Sequence, residues 1–531
     1  MNGPNTETLI VGAGPTGLTA AIEMARQGVP FRLVERSPHP AEHSQALLLQ
    51  ARTLEQFERY GIADSAVEQG RKLHRASFIS EGKRVFSLDL DSIPGRYPFV
   101  LFLPQSQTEA LLIDHLSRLG GRVERGVELL QLAEGEDCVE VQLRDASGRV
   151  ECCAAHWVIG CDGAHSRVRE SLEIPFTGES VEMDFFLGDL VLEGPDLPGD
   201  ELAIHLHHGD IVFLGRLTER LVRVIVALHS NQGKQPEKKL ELSDFQQPID
   251  RAGIRLRAVG AEWMTPFRVQ DRRAEKIHHG RVFLAGDAAH IHSPVGGQGM
   301  NTGIQDAANL AWKLAAVAAG AESSLLDSYD VERGAVSEAL LKETSQALEA
   351  AAASQPWVGK IRDLLLSAAV RLPALRLPTV QQQLLDFVSE TGISYRHSPV
   401  VVDAGGQGSI HAGDRMPNPE IVWKQSRMYL LEPMRIARPL AICFDVKDRQ
   451  PIEQLMAHGG EVMFLEANDL QQGRQELTEI MGGDDRLVVV RPDGYVGFRG
   501  SATDLEHLER YARLTGLTGR REPHAGPIWA A

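Results

Sequence analysis

The chain has 531 residues, which is enough for two or three domains with a large hydrophobic core. Its 55 Lys and Arg residues against 72 Asp and Glu residues give a net charge of −17, which argues against nucleic acid or an anionic membrane surface as a partner. No stretch approaches the roughly 20 consecutive apolar residues that a membrane helix needs, so we expect a cytoplasmic protein without a membrane partner.

The five cysteines indicate neither a disulfide framework nor a metal site. Cys152 and Cys153 are adjacent, which makes them an unfavourable pair to bridge, and Cys138, Cys161 and Cys443 follow no metal-ligand spacing. The sequence therefore predicts reduced thiols and no bound metal ion.

The first element of the chain is a dinucleotide-binding pattern. An apolar strand at residues 8–11 leads into Gly12-Ala-Gly-Pro-Thr-Gly17, and a helix and a second strand ending on Glu35 follow. Gly12 permits the tight turn, Gly14 lets the backbone approach a pyrophosphate, and Gly17 lets the helix pack closely on the strand. Glu35 can accept hydrogen bonds from a ribose diol and would repel a 2′-phosphate, so the pattern favours FAD or NAD without choosing between them.

A second glycine-rich turn lies in the other half of the chain. An apolar run at 282–285 predicts a buried strand that stops at Gly286-Asp287, a Pro- and Gly-rich turn covers 293–299, and a helix begins near Met300. This order directs backbone N–H groups and the positive end of a helix dipole at a ligand above the turn. Taken alone, the stretch is also compatible with an ordinary strand-to-helix loop.

A third motif follows a strand that ends near residue 161. It is Asp162-Gly163 with Ser166 and Arg169 at fixed spacing, and by itself Asp-Gly signals only a turn. With these three motifs in this order, the chain resembles the FAD-dependent aromatic hydroxylases, which are group A flavoprotein monooxygenases of the p-hydroxybenzoate hydroxylase fold. The resemblance covers nearly the whole chain and is closest to the branch of phenol and aromatic-polyketide hydroxylases.

The pattern and the resemblance together predict an α/β protein of three parts. A Rossmann-like FAD-binding domain would comprise residues 1–174 and 276–400, including a helical lead-out. Alternating strands at 184–192, 202–207, 211–214 and 221–228 predict an inserted antiparallel β-sheet over 175–275, which in the resembled family covers the substrate pocket. Residues 401–531 resemble a thioredoxin-like domain, but they contain no C-x-x-C and are interpreted as scaffold or subunit contact, with a homodimer possible.

The resemblance also implies a set of cofactor contacts. Asp287 would bind the ribityl chain, Met300 and Asn301 would offer N–H groups to the N1–C2=O edge of the flavin, and Asp162 would lie near both FAD and the nicotinamide route. The complete predicted set is Gly12, Gly14, Pro15, Thr16, Gly17, Glu35, Arg36, Gln45, Gln105, Asp162, Gly286, Asp287, Pro294, Gly297, Gly299, Met300 and Asn301.

One position departs from the family pattern. Gln45 stands where the family usually has arginine, which puts the rate of flavin reduction and the preference for NADPH or NADH in doubt. Arg52, seven residues later, is retained, and the sequence leaves open whether it contacts the cofactor or faces solvent.

The implied reaction is hydroxylation of a small aromatic or polyketide-like substrate with transient NADPH or NADH and O₂, through a C4a-hydroperoxyflavin. The candidate catalytic residues are His205, His207, Arg216 and Pro294. Two-residue periodicity places Ala203, His205 and His207 on one face of a strand, with the solvated face favoured for them. Phe186, Phe213 and Arg223 are left undecided.

Two other functions are compatible with the sequence. A flavin-dependent halogenase is disfavoured, because the Trp-x-Trp-x-Ile-Pro signature expected of tryptophan halogenases is absent. A redox-idle FAD protein that binds or channels an aromatic intermediate is the second, and the Gln45 departure is the feature that favours it.

Overall fold

The computed structural model describes residues 6–41, 46–80, 82–180, 183–229, 239–267, 269–292, 296–342, 378–457, 459–483 and 485–517. The predictions made for Gln45 and Pro294 lie outside these residues.

The helices and strands follow the order expected from the motifs. Up to residue 174 they are β1 Thr6–Val11, α1 Pro15–Arg26, β2 Phe31–Glu35, β3 Leu48–Leu49, α2 Ala51–Tyr60, α3 Ala63–Gln69, β4 Arg71–Leu73, β5 Arg75–Ser80, β6 Lys83–Asp89, β7 Val100–Phe102, α4 Gln105–Arg118, β8 Glu124–Arg125, β9 Glu128–Glu134, β10 Val139–Arg144, β11 Val150–Gly160 and α5 Arg167–Ser171. From there to residue 400 they are β12 Phe176–Ser180, β13 Met183–Glu193, β14 Glu201–His207, β15 Asp210–Arg216, β16 Leu221–His229, α6 Leu242–Arg251, β17 Arg257–Phe267, β18 Gln270–Ala274, β19 His278–His279, β20 Val282–Leu284, β21 His290–Ile291, α7 Gly299–Ala318 and α8 Pro378–Ser389. The remainder are β22 Val402–Asp403, β23 Glu420–Trp423, β24 Ser426–Tyr429, β25 Leu440–Phe444, α9 Gln450–Met456, β26 Glu461–Leu465, β27 Leu470–Gln472, α10 Arg474–Met481, β28 Arg486–Val490, β29 Val496–Ser501 and α11 Leu505–Thr515.

The largest sheet is built around a parallel core in the order β20-β11-β1-β2-β8, to which β9, β10 and β19 add antiparallel pairs. Its central strands are short apolar runs, and Leu9, Ile10, Val158, Ile159 and Phe283 are fully buried. Strands of a parallel sheet read as continuous apolar runs because helices cover both faces. Helices α1 and α7 pack against each other and help to cover this sheet.

A seven-stranded sheet runs in the order β17-β13-β16-β15-β14-β5-β6. The four predicted strands of the insertion are present as β13 to β16, and they pair with one another in antiparallel orientation. The sheet is mixed rather than purely antiparallel, however, because β14 pairs with β5 in parallel. Strands β5 and β6 precede residue 90, so the predicted insertion at 175–275 supplies only five of the seven strands.

The two faces of this sheet have different neighbours. One face, which we call the helix face, packs its Val212, Leu214 and Val224 side chains against Phe245 and Ile249 of α6. The opposite face, which we call the inner face, carries Phe185, Leu187, Phe213, Gly215, Arg223 and Ile225, as the strand register requires. It is turned toward the unit that is built on the large sheet and carries the predicted cofactor motifs, which we call the cofactor unit. A Cβ atom built on Gly215 would lie 2.1 Å from the ring of Phe102 in β7, whose side chain belongs to the same buried cluster as the large sheet.

The last part of the chain forms a five-stranded mixed sheet in the order β22-β29-β28-β25-β26. The predicted run at 486–498 is a hairpin of β28 and β29, because Arg491 and Tyr495 pair across a turn whose Gly494 has φ +84°. Among the residues that the structure describes, no helix is long and apolar enough to cross a lipid bilayer.

Candidate functional site

The three sequence motifs meet at one edge of the large sheet. Gly12 follows β1, Cys161 and Asp162 follow β11, and Gly286 and Asp287 come just after β20, and these three strands are parallel neighbours. The loops are bonded to the adjacent strand ends, since the Cys161 N–H donates to the Val11 carbonyl at 2.8 Å. Ligands of open α/β sheets bind at this carboxyl edge of the strands.

The glycines of the first loop differ in what surrounds them. Gly12 has φ +99°, and a Cβ built there would lie 2.3 Å from the carbonyl oxygen of Cys161. A Cβ on Gly17 would lie 1.9 Å from the carbonyl oxygen of Gly12. Gly14 has no atom within 4 Å of such a Cβ and therefore presents bare backbone to open space at the start of α1.

Glu35 closes the same loop from the end of β2. Its carboxylate accepts the backbone N–H of Ala13 and of Ser37, each at 2.8 Å. Arg36 is exposed beside it. The acid therefore fixes the glycine loop to the neighbouring strand.

Thr16 connects the first loop to the second half of the site. Its Oγ1 lies 2.6 Å from where a Cβ on Gly286 would stand and 2.4 Å from a Cβ on Gly303. The first turn of α1, the Gly286 loop and the first turns of α7 consequently touch one another. Pro15 is buried at the first position of α1, where its missing N–H is not needed.

A buried acid, Asp306, fixes the Gly286-Asp287 loop. Asp306 accepts the Gly286 N–H at 3.0 Å, His290 Nε2 at 2.7 Å and Arg333 Nε at 2.6 Å. Although burial would raise it, the pKa of Asp306 is held below its ordinary value by Arg333 and His290. The Asp287 side chain is exposed, yet the surrounding protein still raises the pKa of its carboxyl.

The glycine turn at the start of α7 is fixed by Asn301. The Asn301 side chain accepts the Gln50 N–H at 3.0 Å and donates to the carbonyls of Leu48 and Gly297 at 2.8 and 2.9 Å. Gly297 packs on the Leu48 side chain, which would lie 2.5 Å from a Cβ on that glycine. No side chain caps α7, so the first-turn N–H groups at Gly299, Met300 and Asn301 have no partner within the helix.

Behind this turn lies a buried glutamate. Glu390 has φ +56° and is 4% exposed, and it accepts hydrogen bonds from Thr302 Oγ1 at 3.2 Å and from Gln305 Nε2. Burial raises the pKa of Glu390 to about 8. Burial also lowers the pKa of the nearby His292 to about 3, so this side chain is uncharged.

Two further predicted residues lie at the same edge but make protein contacts of their own. Asp162 accepts Ser166 Oγ at 2.6 Å and the N–H groups of Arg167 and Val168, so it holds the start of α5, and burial raises its pKa. Gln105 begins α4 and donates to Glu109 Oε1 at 2.8 Å.

The catalytic candidates on the seven-stranded sheet are not brought to this site. His205 pairs in register with Val212, and Arg216 pairs with Val222, which puts both side chains on the helix face; His207 shares that face by alternation. Arg216 donates to the carbonyls of Thr218 and Glu219 in its own hairpin turn. The register thus places His205, His207 and Arg216 on the face that packs against α6, and their role as catalytic candidates stays a prediction. Two-residue alternation defines two faces but not which of them meets the cofactor unit.

The three residues that the sequence left undecided lie on different faces of the seven-stranded sheet. Phe213 and Arg223 are on the inner face, whereas Phe186 packs near Phe245 of α6 with ring centroids 6.3 Å apart. Arg223 is 4% exposed and bonds Asp189 through Nε at 2.5 Å. The inner face thus combines apolar side chains with the Arg223–Asp189 ion pair.

Arg52 does not face solvent, which was one of the two alternatives left open by the sequence. It is 5% exposed, and it donates to Glu55 at 2.7 Å and to the backbone carbonyl of Asp493 at 2.6 Å.

Sequence reasoning predicted Asn301 but missed the other buried polar residues of α7. Asn301, Gln305, Asn309 and Lys313 are all at most 5% exposed. Their spacing of four residues inside an otherwise apolar helix was the available signal, since it puts them on one helix face.

Comparisons with known proteins give the family. Residues 5–344, more than half of the chain, match the family model described as FAD binding domain. The chain is 31% identical over 530 residues to 6-methylpretetramide 4-monooxygenase of Streptomyces rimosus, covering 96% of this chain and 93% of that protein. It is 32% identical over 515 residues to pentachlorophenol 4-monooxygenase of Sphingobium chlorophenolicum, covering 95% and 88%.

Solved structures share the fold over nearly the whole chain. The anhydrotetracycline hydroxylase of Streptomyces rimosus superposes with a TM-score of 0.79 at 27% identity, covering 96% of this chain and 99% of that one. A Diels-Alderase from the biosynthetic pathway of pyrroindomycins superposes with a TM-score of 0.74 at 27% identity, with the same coverage.

Proposed function

The chain belongs to the FAD-binding group A flavoprotein aromatic hydroxylases, and from that premise we propose that it is a single-component monooxygenase that hydroxylates a phenolic or polyketide-type aromatic substrate with NAD(P)H and O₂. The observation that carries the proposal is the meeting of three loops at the ends of β1, β11 and β20. One extended ligand lying along that edge can touch all three.

The residues present fit FAD. Gly14 leaves open space at the start of α1, where a pyrophosphate would accept N–H groups at the helix N-terminus. The exposed Asp287 carboxylate suits a polyhydroxyl chain, and the uncapped start of α7 suits an electron-rich ring edge. FAD would be held by Gly12, Gly14, Pro15, Thr16, Gly17, Glu35, Arg36, Gln105, Asp162, Gly286, Asp287, Gly297, Gly299, Met300 and Asn301, with Gln45 and Pro294 completing the predicted set.

When bound, the flavin supplies the electron transfer and the O₂ activation that no side chain can provide. The chain supplies the electrostatic setting. The start of α7 favours negative charge at the ring edge by about 0.3–1 kcal/mol, rising toward 2 in a partly buried site. Asn301 fixes where that helix start points, and Asp306 fixes the Asp287 loop beside it.

The substrate would lie between the glycine turn and the inner face of the seven-stranded sheet. The partly exposed Phe213 and Ile225 offer apolar contact to an aromatic ring, and Arg223 with Asp189 offers a polar group for orientation. Pockets for small molecules typically combine apolar walls with a few such polar groups. Two relatives, a pretetramide and a pentachlorophenol monooxygenase, support both polyketide and phenol as substrate classes.

We further propose a transient reductant, a division into domains and a subunit assembly. The reductant, NADPH or NADH, would bind transiently, in keeping with a single dinucleotide fingerprint in the sequence. We retain the division into a cofactor domain, a sheet domain and a thioredoxin-like domain at 401–531, with β5 and β6 joining the sheet domain. The five-stranded mixed sheet with α9, α10 and α11 supports the thioredoxin-like part, and a homodimer is the proposed assembly.

The test is the rate of NADPH and NADH oxidation by the FAD-loaded protein with and without a panel of phenols and polycyclic phenols. We expect oxidation to accelerate when a fitting phenol is added. The second candidate is a redox-idle FAD protein, which the similarity to a Diels-Alderase favours. Reductant consumed at one negligible rate with every addition would select that candidate.

A further inference from the structure

A buried group of charges joins the last part of the chain to the cofactor unit. Arg491, in the turn between β28 and β29, donates to both oxygens of Glu332 at 2.7 and 3.0 Å, and Lys313 Nζ of α7 donates to Glu332 at 2.8 Å. Arg491, Lys313 and Glu332 are 0% exposed. With Asp493 the group contains two positive and two negative side chains, which is the balance that buried charges need.

The same turn forms hydrogen bonds with two helices of the cofactor unit. The Asp493 carboxylate accepts Asn309 Nδ2 of α7 at 3.2 Å, while the Asp493 backbone carbonyl accepts Arg52 of α2 at 2.6 Å. The Arg52 guanidinium also lies 4.7 Å from the centre of the Tyr495 ring. We call Arg52, Asn309, Lys313, Glu332, Arg491 and Asp493 the interdomain clamp.

These two helices, α2 and α7, both begin at the proposed flavin site. Asn301 lies eight residues before Asn309, a distance of about 12 Å along a helix. Gln50, which precedes α2, donates its N–H to Asn301 at 3.0 Å and lies two residues before Arg52. The clamp and the Gln50–Asn301 bond therefore tie α2 and α7 together at two levels.

From this juxtaposition we propose that the turn at residues 491–495 is a positioning element of the flavin site, which sets the glycine turn at 296–299 by holding α2 and α7 in register. Arg52, Arg491 and Asp493 are thus positioning residues that act through Asn301 and Gln50. Buried ion pairs often add little net stability, and this group is bonded to two helices that start at the same proposed ligand site. The inference rests on the proposed binding of FAD there.

The experiment compares Asp493→Ala and Arg52→Met with Leu477→Ala. Leu477 is a buried residue of α10 that packs in the apolar core of the last part of the chain. Three quantities are measured: the melting temperature, the FAD dissociation constant and the reduction potential of the bound flavin. Hydrogen exchange of the apoprotein at residues 296–303 gives a fourth readout, independent of turnover. We expect each clamp variant to weaken FAD binding roughly tenfold, a coupling of ordinary size between distant sites, to shift the reduction potential and to speed exchange at the turn.

Leu477→Ala should lower the melting temperature without these effects, and Asp493→Asn, which keeps an acceptor for Asn309, should restore part of the affinity. The proposal is overturned if the clamp variants leave FAD affinity and exchange at wild-type values, or if Leu477→Ala changes them equally at an equal loss of melting temperature. Should Asp493→Ala not fold, Arg52→Met and Asp493→Asn decide in the same way. A wild-type chain that binds no FAD would instead refute the proposed function.

Discussion

Asp306 accepts the backbone N–H of Gly286 at 3.0 Å, so a carboxylate on α7 fixes the loop that carries Asp287. The same carboxylate bonds Arg333 and His290, and all three side chains are buried. Removing its charge as Asp306→Asn leaves a buried guanidinium without its counterion, which typically costs about 3–5 kcal/mol. We predict that loss in the free energy of urea unfolding, together with weaker FAD binding.

The matched control is Asp114→Asn, which breaks an exposed pair with Arg118 on α4. Such surface pairs contribute about 0.3–0.5 kcal/mol. Equal losses for the two variants would contradict the role given to Asp306.

Substitutions of two glycines in the first loop should distinguish an effect on folding from an effect on FAD binding. Gly14→Ala adds a methyl group to open space in an extended backbone conformation, so the apoprotein should keep its stability while FAD binding is lost. Gly17→Ala would place its Cβ 1.9 Å from the Gly12 carbonyl and should destabilise the fold itself. Melting temperature and flavin content of both purified variants check this, and a yellow Gly14→Ala protein would count against the pyrophosphate position.

Asp287→Ala should affect the cofactor but not the fold. The side chain is exposed and its pKa is raised by the protein around it, so its removal should leave the apoprotein at least as stable. A lost hydrogen bond to a charged acceptor should weaken FAD by about 1.5–3 kcal/mol, or roughly 10- to 150-fold in Kd. Fluorescence titration measures the Kd for FAD, and an unchanged value would refute the role of Asp287.

Glu390 predicts a pH dependence of stability. Its pKa is raised by burial from 4.5 to about 8, so between these values the unfolded chain releases a proton that the folded chain retains. The Glu390 contribution to stability should therefore fall as pH rises from about 4.5 to about 8 and then level off. Urea unfolding at several pH values should show Glu390→Gln gaining stability relative to wild type across this range; a difference that stays constant with pH would contradict it.

Substitutions on the two faces of the seven-stranded sheet should affect turnover unequally. Phe213→Ala removes an aromatic contact from the inner face and should lower kcat/KM by at least about tenfold, as lost apolar contacts in substrate pockets do. His205→Ala, on the helix face, should leave kcat/KM within about twofold. Steady-state kinetics with one accepted phenol measures kcat/KM for both variants. A larger loss for His205→Ala than for Phe213→Ala would instead place the substrate on the helix face.

The sequence predicted the parts of the fold that local patterns control. The strands around Gly12 and Gly286, the helix from residue 299 and the four strands of the insertion follow from apolar periodicity and glycine turns. It did not predict that β5 pairs with β14, because residues 75–80 and 201–206 are distant in the chain and nothing local specifies the partner.

The same limit applies within the site. Alternation correctly grouped His205 with His207, but only the contact of Gly215 with Phe102 shows which face is turned to the cofactor unit. Arg52 could not be assigned because its partner, Asp493, lies 441 residues later. Asp306 was missed because its partners Arg333 and Gly286 lie 27 and 20 residues away in the chain, and nothing local in the sequence identifies them.

We propose that one FAD, held by three loops at a sheet edge, allows this chain to insert oxygen into an aromatic ring. Turnover of an accepted phenol under oxygen-18 gas, followed by mass analysis of the product, tests this directly. We expect a product that gains one labelled oxygen from O₂ and, in a parallel reaction under ordinary O₂, none from labelled water. Unlabelled product, or phenol recovered unchanged with FAD bound, would contradict it.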